Sequence, residues 1–379
     1  MAPLVSIRTT DSKIEIVDQL LLPHVVQYVE IASVHDAHSA IKTMRIRGAP
    51  AIASLASLAI GAHVEQALNY GSSSQPVEWM QSTDALRAHV VPLLDFLYTA
   101  RPTAVNLGAA VARLRLVLDE PGDVHDVAKQ FVKEAHAVAD EDVGRNKEMS
   151  RHGAEWVLEQ AGNPEGGVNV LTVCNTGSLA TSGYGTALGV ITHLYETGKL
   201  KRAYFTQSAP YHQGSRLTAM ELIALGIPCT MICDTMVGSL FQTHDIHAVV
   251  VGADRIARNG DTANKIGTYN AAVLAKYHKI PFATIAPVST VDLAIPDGTH
   301  IPIEHRPAVE ATLARGAVYP RTEPVEQAVV QITPDGLGDD MIYNPSFDVT
   351  PAELISAVVT ERGVHAIRQG FDMKNELQT

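Results

Sequence analysis

Five short runs of β-branched and apolar residues, at 168–173, 202–206, 229–232, 248–251 and 282–285, are separated by longer stretches of helical period in the second part of this 379-residue chain. That alternation leaves few folds open. A strand buried on both faces reads as a near-continuous apolar run, and parallel neighbours need a crossover of a dozen or more residues, usually a helix. A doubly wound parallel sheet, an α/β fold, is the simplest arrangement. Ligands of such sheets sit outside the carboxyl ends of the strands, so the residues just beyond 173 and 251 are the first place to look for chemistry.

The chain ahead of these runs has a different pattern. Helical periodicity covers 37–44, 51–68, 84–97 and 124–140, interrupted by a polar stretch at 69–76 and a Glu-Pro-Gly-Asp turn at 120–123. The expected organisation is a mainly helical domain over 1–145 and a sheet domain over 146–379. The most apolar segment, 49–64, is rich in Ala and Ser and shorter than the roughly 20 residues that span a bilayer, so it reads as a buried helix.

Charge narrows the function classes. The formal charge is −12, which argues against a general grip on nucleic acid or an anionic membrane, because such binding neutralises phosphates with a basic surface. Any phosphate held here must meet a local positive site. Three cysteines, an odd number, fit a reducing compartment better than a disulfide framework, and Cys229 and Cys233 lie in an apolar run as small buried residues. The sixteen histidines form no zinc pattern. The first ten residues do not read as a secretory signal, and the expected location is the cytoplasm, with the nucleus as a second compartment.

Two strand ends carry reactive side chains: Cys174 follows Leu171-Thr172-Val173, and Asp254 follows Val249-Val250-Val251-Gly252-Ala253. Both are expected to face one crevice. The alternative is a packed thiol and an aspartate that caps a turn or pairs with Arg255. The small and hydroxyl residues at 175–185 offer backbone N–H groups to an anion, or simply a tight strand-to-helix turn. Lys265 falls in a segment, 259–268, that reads as the opening of a helix running to about 278. A cation there is against the dipole preference and favours a phosphate partner, with an ion pair to Asp261 as the alternative. Arg47 and Arg101 each head a turn, and together they offer the bidentate donors that phosphate prefers.

Read together, the segments Arg47-Gly48-Ala49-Pro50, Arg101-Pro102-Thr103-Ala104, Cys174-Asn175-Thr176-Gly177-Ser178, Gln213-Gly214-Ser215-Arg216, Gly252-Ala253-Asp254-Arg255, Asn264-Lys265 and Asn344-Pro345-Ser346-Phe347-Asp348 resemble the methylthioribose-1-phosphate isomerases of methionine salvage. That group sits in a larger family with the regulatory subunits of a translation-initiation guanine-exchange factor. The resemblance covers nearly the whole chain. It implies an aldose–ketose isomerase acting on a small sugar phosphate, with Asp254 as proton donor, Cys174 as its companion, and Arg47, Gly48, Ala49, Arg101, Gln213, Asn264 and Lys265 holding substrate. It also implies a helical cap, a Rossmann-like domain, a homodimer, and no metal or cofactor. A ribose 1,5-bisphosphate isomerase and a non-catalytic exchange-factor subunit are the rival readings. One departure stands out: where the family commonly has Thr-Glu-Thr-Arg-Pro-Tyr, this chain has Thr206-Gln207-Ser208-Ala209-Pro210-Tyr211, without the acidic residue and the arginine.

Overall fold

Serine and aspartate punctuate the helical part. Ser33, Ser82 and Asp123 each precede a helix, and their side chains accept the N–H of Asp36, Ala85 and His125, which satisfies first-turn donors that a helix leaves unpaired. The computed structural model describes residues 4–10, 13–70 and 77–378, so positions 71–76 of the expected insertion lie outside the described residues. A small antiparallel sheet, β1 (Ile7–Thr10), β2 (Lys13–Val17) and β3 (Tyr28–Glu30), leads into α1 (Val34–Lys42), α2 (Ala49–Tyr70), α3 (Thr83–Tyr98), α4 (Val105–Leu118) and α5 (Val124–Gln160).

Helix α2 is long and apolar enough to cross a membrane by composition alone, yet most of its length is buried inside the protein. Its apolar residues recur on every side, the pattern of a core helix. Ile52, Leu55 and Ile60 pack with Leu86, Leu107 and Phe131 from α3, α4 and α5. Helix α5, with 37 residues, is roughly 55 Å long. Phe131 and Ala135 belong to the helical core, whereas Met149, Ala154 and Val157 pack with Val170, Ile191 and Val250 beneath the large sheet. The helix runs unbroken through residue 145 and serves both cores.

The second part continues as β4 (Val168–Thr172), α6 (Ala187–Glu196), β5 (Leu200–Thr206), α7 (Ala219–Ala224), β6 (Cys229–Ile232), α8 (Val237–Thr243), β7 (Ala248–Val251), β8 (Arg255–Ala257), β9 (Thr262–Lys265), α9 (Thr268–Tyr277), β10 (Phe282–Ile285), β11 (Val291–Asp292), β12 (Leu313–Ala317), β13 (Gln327–Gln331), β14 (Phe347–Thr350), β15 (Ala357–Thr360) and β16 (Gly363–Ala366). All five expected strands occur. Among the described residues the largest sheet has the order β16-β15-β10-β7-β4-β5-β6, parallel throughout except for β16 on β15. The chain leaves β4 in one direction through β5 and β6, then returns to β7 on the other side. Strands β4 and β7 are therefore direct neighbours.

A smaller sheet, ordered β11-β8-β9-β14, stands beyond the end of β7. It pairs Asn264 with Asp348 and Lys265 with Phe347. The Asn-Pro-Ser-Phe-Asp stretch at 344–348, far along the chain, thus fixes the register of the segment that carries Lys265.

Candidate active site

Cys174 lies two residues past β4 with φ at 70°, in the left-handed region that a non-glycine residue seldom adopts. Hydrogen bonds hold it there. Its N–H donates to Ser208 Oγ at 2.8 Å, and its carbonyl accepts from Thr218 Oγ1 at 2.6 Å. The buried thiol receives Arg47 Nη1 at 3.7 Å, while Arg47 Nη2 donates to the carbonyl and to Oδ1 of Asn175, at 2.7 and 3.1 Å.

Arg47 reaches this point because of the residue that follows it. Gly48 has φ at +100°, and a Cβ built there would stand 2.2 Å from the carbonyl oxygen of Ala180. Only glycine permits such an approach. It lets the N-terminus of α2, with Ala49, press against the loop after β4.

Asp254 follows β7, so its neighbour across the sheet end is the Cys174 loop. Burial pushes its carboxyl above the usual range, against the nearby charges of Lys265, Arg101 and Arg47, and Glu304 adds to the rise. Lys265 responds in the opposite sense: burial lowers it, Cys174 and Asp254 counter the change, and the two arginines reinforce it. Arg101 pairs with Glu304 at 2.7 Å. Burial opposes the ionisation of Glu304, and the charges of Arg101 and Arg306 outweigh it, leaving this carboxyl below its ordinary value.

The reactive and basic groups share one cleft. Cys174 and Asp254 line it, as do Arg47, Gly48 and Ala49 from the helical part, Arg101 from the turn between α3 and α4, Gln213, and the β9 pair Asn264 and Lys265. Each site residue expected from the sequence therefore borders the same space. Gln213 and Asn264 are buried; Gln213 Oε1 has no partner among the described residues, and Asn264 Nδ2 donates to Thr268 Oγ1 at 3.0 Å. A space lined by a thiol, a carboxyl whose ionisation burial opposes and three basic side chains suits a small anionic substrate that needs proton transfer.

The model of the initiation factor 2 subunit family matches residues 45–366. The chain belongs to that family. It is 61% identical to the methylthioribose-1-phosphate isomerase of Postia placenta, over 98% of this chain and 99% of the relative. The crystal structure of 5-methylthioribose 1-phosphate isomerase from Pyrococcus horikoshii is 33% identical and superimposes with a TM-score of 0.77 over 96% of this chain and 92% of the other. A structure described as translation initiation factor eIF-2B, subunit delta, from A. fulgidus is 36% identical, again with a TM-score of 0.77, over 99% of this chain and all of the other.

Two local expectations and two of the alternatives are corrected. Lys265 ends strand β9 and does not open a helix; α9 starts at Thr268, and the acidic group its N-terminus favours is the Asp348 carboxylate, which accepts from the N–H of Gly267 and Tyr269. Asp261 accepts from the N–H of Gly298 and Ala352 rather than pairing with Lys265, and Arg255 pairs with Asp292 at 2.8 Å rather than with Asp254. The 175–185 segment is a loop with one 3-10 turn, and two of its N–H groups, those of Ser178 and Leu179, already donate to a protein carboxylate, Glu221.

Glu221, Glu304 and Asn175 were not singled out from the sequence. For Glu221 a signal existed: it is a lone acid in Ala219-Met220-Glu221-Leu222-Ile223, on a helix whose neighbours are apolar.

Proposed function

We propose that this protein is an aldose–ketose isomerase that converts 5-methylthioribose 1-phosphate to 5-methylthioribulose 1-phosphate, as in methionine salvage. One observation carries the reading: Cys174 and Asp254 stand at the ends of adjacent strands in a single cleft that also holds Arg47, Arg101 and Lys265. The relatives' names agree with it.

The phosphate on the anomeric oxygen prevents spontaneous ring opening, so the ring oxygen must be protonated. Asp254, whose carboxyl burial pushes above its usual range, can in its protonated form donate that proton as the C1–ring-oxygen bond breaks. The C2 hydrogen then moves to C1. Either Cys174 takes it as a proton and returns it to C1 through an enol, or it passes directly as a hydride; in both routes the C2 hydroxyl gives its proton to the carboxylate that ring opening left at Asp254, which restores the acid as C2 becomes the ketone. The hydrogen lost at C2 is regained at C1, so the reaction balances without a redox cofactor. Arg47, Arg101 and Lys265 hold the phosphate, and Gly48, Ala49, Gln213 and Asn264 position the rest of the substrate.

The same reading extends to architecture. The order of the parallel strands, β6-β5-β4-β7-β10-β15, supports a Rossmann-like, doubly wound domain with the cleft where the strand order reverses. We assign the helical cap to 1–145 and the catalytic domain to 146–379, with α5 shared between them. The active form is a homodimer in the cytoplasm and the nucleus.

The relation to a structure named as an exchange-factor subunit favours one other reading, a non-catalytic regulatory subunit. Such a subunit has no use for the Cys174 and Asp254 pair. Incubating the purified protein with methylthioribose 1-phosphate and following the ketose by NMR separates the two. Product formation that Cys174→Ser abolishes is expected; a folded protein with no turnover would leave the regulatory reading standing.

A further inference from the structure

Helix α7 places Glu221 beneath the loop that carries Cys174. The side chain is buried, and among the described residues no Lys or Arg bonds to it. Its Oε1 accepts from Asn175 Nδ2 at 2.6 Å and from the Leu179 N–H at 3.5 Å, and its Oε2 accepts from the Ser178 N–H at 2.6 Å. The loop closes over it so tightly that a Cβ on Gly177 would stand 2.3 Å from Oε2.

An amide has one accepting and one donating end, and only its partners decide which way it points. Asn175 gives its NH₂ to Glu221, which turns its Oδ1 toward Arg47 Nη2, 3.1 Å away. With that contact and the Asn175 carbonyl fixing one end of the guanidinium, the other end, Nη1, is set against Cys174 Sγ. An amide turned the other way would aim its NH₂ at a cation. Thr218 supports the same unit, accepting from Asn175 Nδ2 at 3.4 Å and donating to the Cys174 carbonyl.

We infer that Glu221 is a positioning residue for the isomerisation: by fixing the Asn175 amide it sets Arg47 against the Cys174 thiol, without itself reaching the substrate. This rests on the proposed isomerase activity for its meaning, but the geometry it claims can be read independently. Arg47 Nη1 donates to Cys174 Sγ at 3.7 Å, so the rate at which iodoacetamide modifies Cys174 reports the approach of Arg47.

The test uses Glu221→Gln alone and together with Asn175→Asp, with alkylation of the Cys174 peptide followed by mass spectrometry. In the single variant an NH₂ faces the Asn175 NH₂, the amide turns and Arg47 is displaced. Alkylation of Cys174 and kcat are both expected to fall about tenfold or more, with KM changed much less. In the double variant, the carboxylate introduced at position 175 accepts both from the amide introduced at position 221 and from Arg47, and both rates are expected to recover most of the loss. The double variant also keeps the test open should the single one fail to fold. Wild-type alkylation in a folded Glu221→Gln variant, or a folded double variant that alkylates no faster than a folded single one, would overturn the inference. So would a double variant that folds but alkylates about tenfold slower than wild type. Alkylation is measured without substrate, so these outcomes hold even if the isomerase assay itself fails.

Discussion

Replacing Gly48 by alanine tests whether the close approach of α2 to the Cys174 loop builds the site. The new Cβ would meet Ala180 at 2.2 Å from its oxygen and 2.5 Å from its Cα, both backbone atoms. Restoring van der Waals contact demands a retreat of roughly 1 Å. Overpacking of this kind costs about 1–3 kcal/mol, and the left-handed backbone at φ +100° costs an L-residue roughly 1–2 kcal/mol more. The sum, about 2–5 kcal/mol, is to be read as a fall in the urea midpoint at unchanged slope. Arg47 is the preceding residue, so the retreat withdraws its guanidinium from Cys174 and Asn175. A displacement of that size can cost about 100-fold in rate, and kcat/KM for methylthioribose 1-phosphate is the second readout. A variant with the wild-type midpoint and wild-type kcat/KM would refute the argument that glycine is needed for this contact.

The pH profile tests Asp254. Its carboxyl is raised by burial and must be protonated to donate, so kcat/KM is expected to fall as pH rises through the raised value; Asp254→Asn should keep the fold, lower kcat by about 10²–10⁴ and lose that limb. Wild-type rates in the Asn variant would make Asp254 structural. The departure from the family pattern is tested by Gln207→Glu with Ala209→Arg. Ala209 borders the cleft, and its N–H is already tied to Asp234 at 2.9 Å, so the new guanidinium enters a fixed turn, and the new carboxylate is there to accompany its charge. A tenfold gain in kcat/KM corresponds to about 1.4 kcal/mol; an unchanged value in a folded variant would mean that the loop works without them.

The large sheet was legible in the sequence because its strands are buried on both faces, and runs such as Ala248–Val251 announce that burial locally. The same pattern placed Cys174 and Asp254 at strand ends, and helical periodicity found α1, α2, α3 and the start of α5. Strands β8, β9 and β14 gave no such signal. They are short and defined by each other: Lys265 sits on a strand only because Phe347, some eighty residues later, pairs with it, and nothing within 259–268 distinguishes that strand from a helix start. Helix α5 continued past 140 because its second half is buried against the large sheet, which a local period does not reveal.

The chain alone therefore determined which residues carry reactive groups and which segments must be buried, since both follow from side-chain chemistry and near-neighbour pattern. Which donors remain free was decided only by tertiary structure. The N–H groups of Ser178 and Leu179 looked available to an anion until Glu221, more than forty positions on, supplied a carboxylate. Arg255 and Asp261 likewise took partners from other elements. Hydrogen bonds and ion pairs are satisfied by whatever the fold brings within about 3 Å, and that distance is not written in sequence separation.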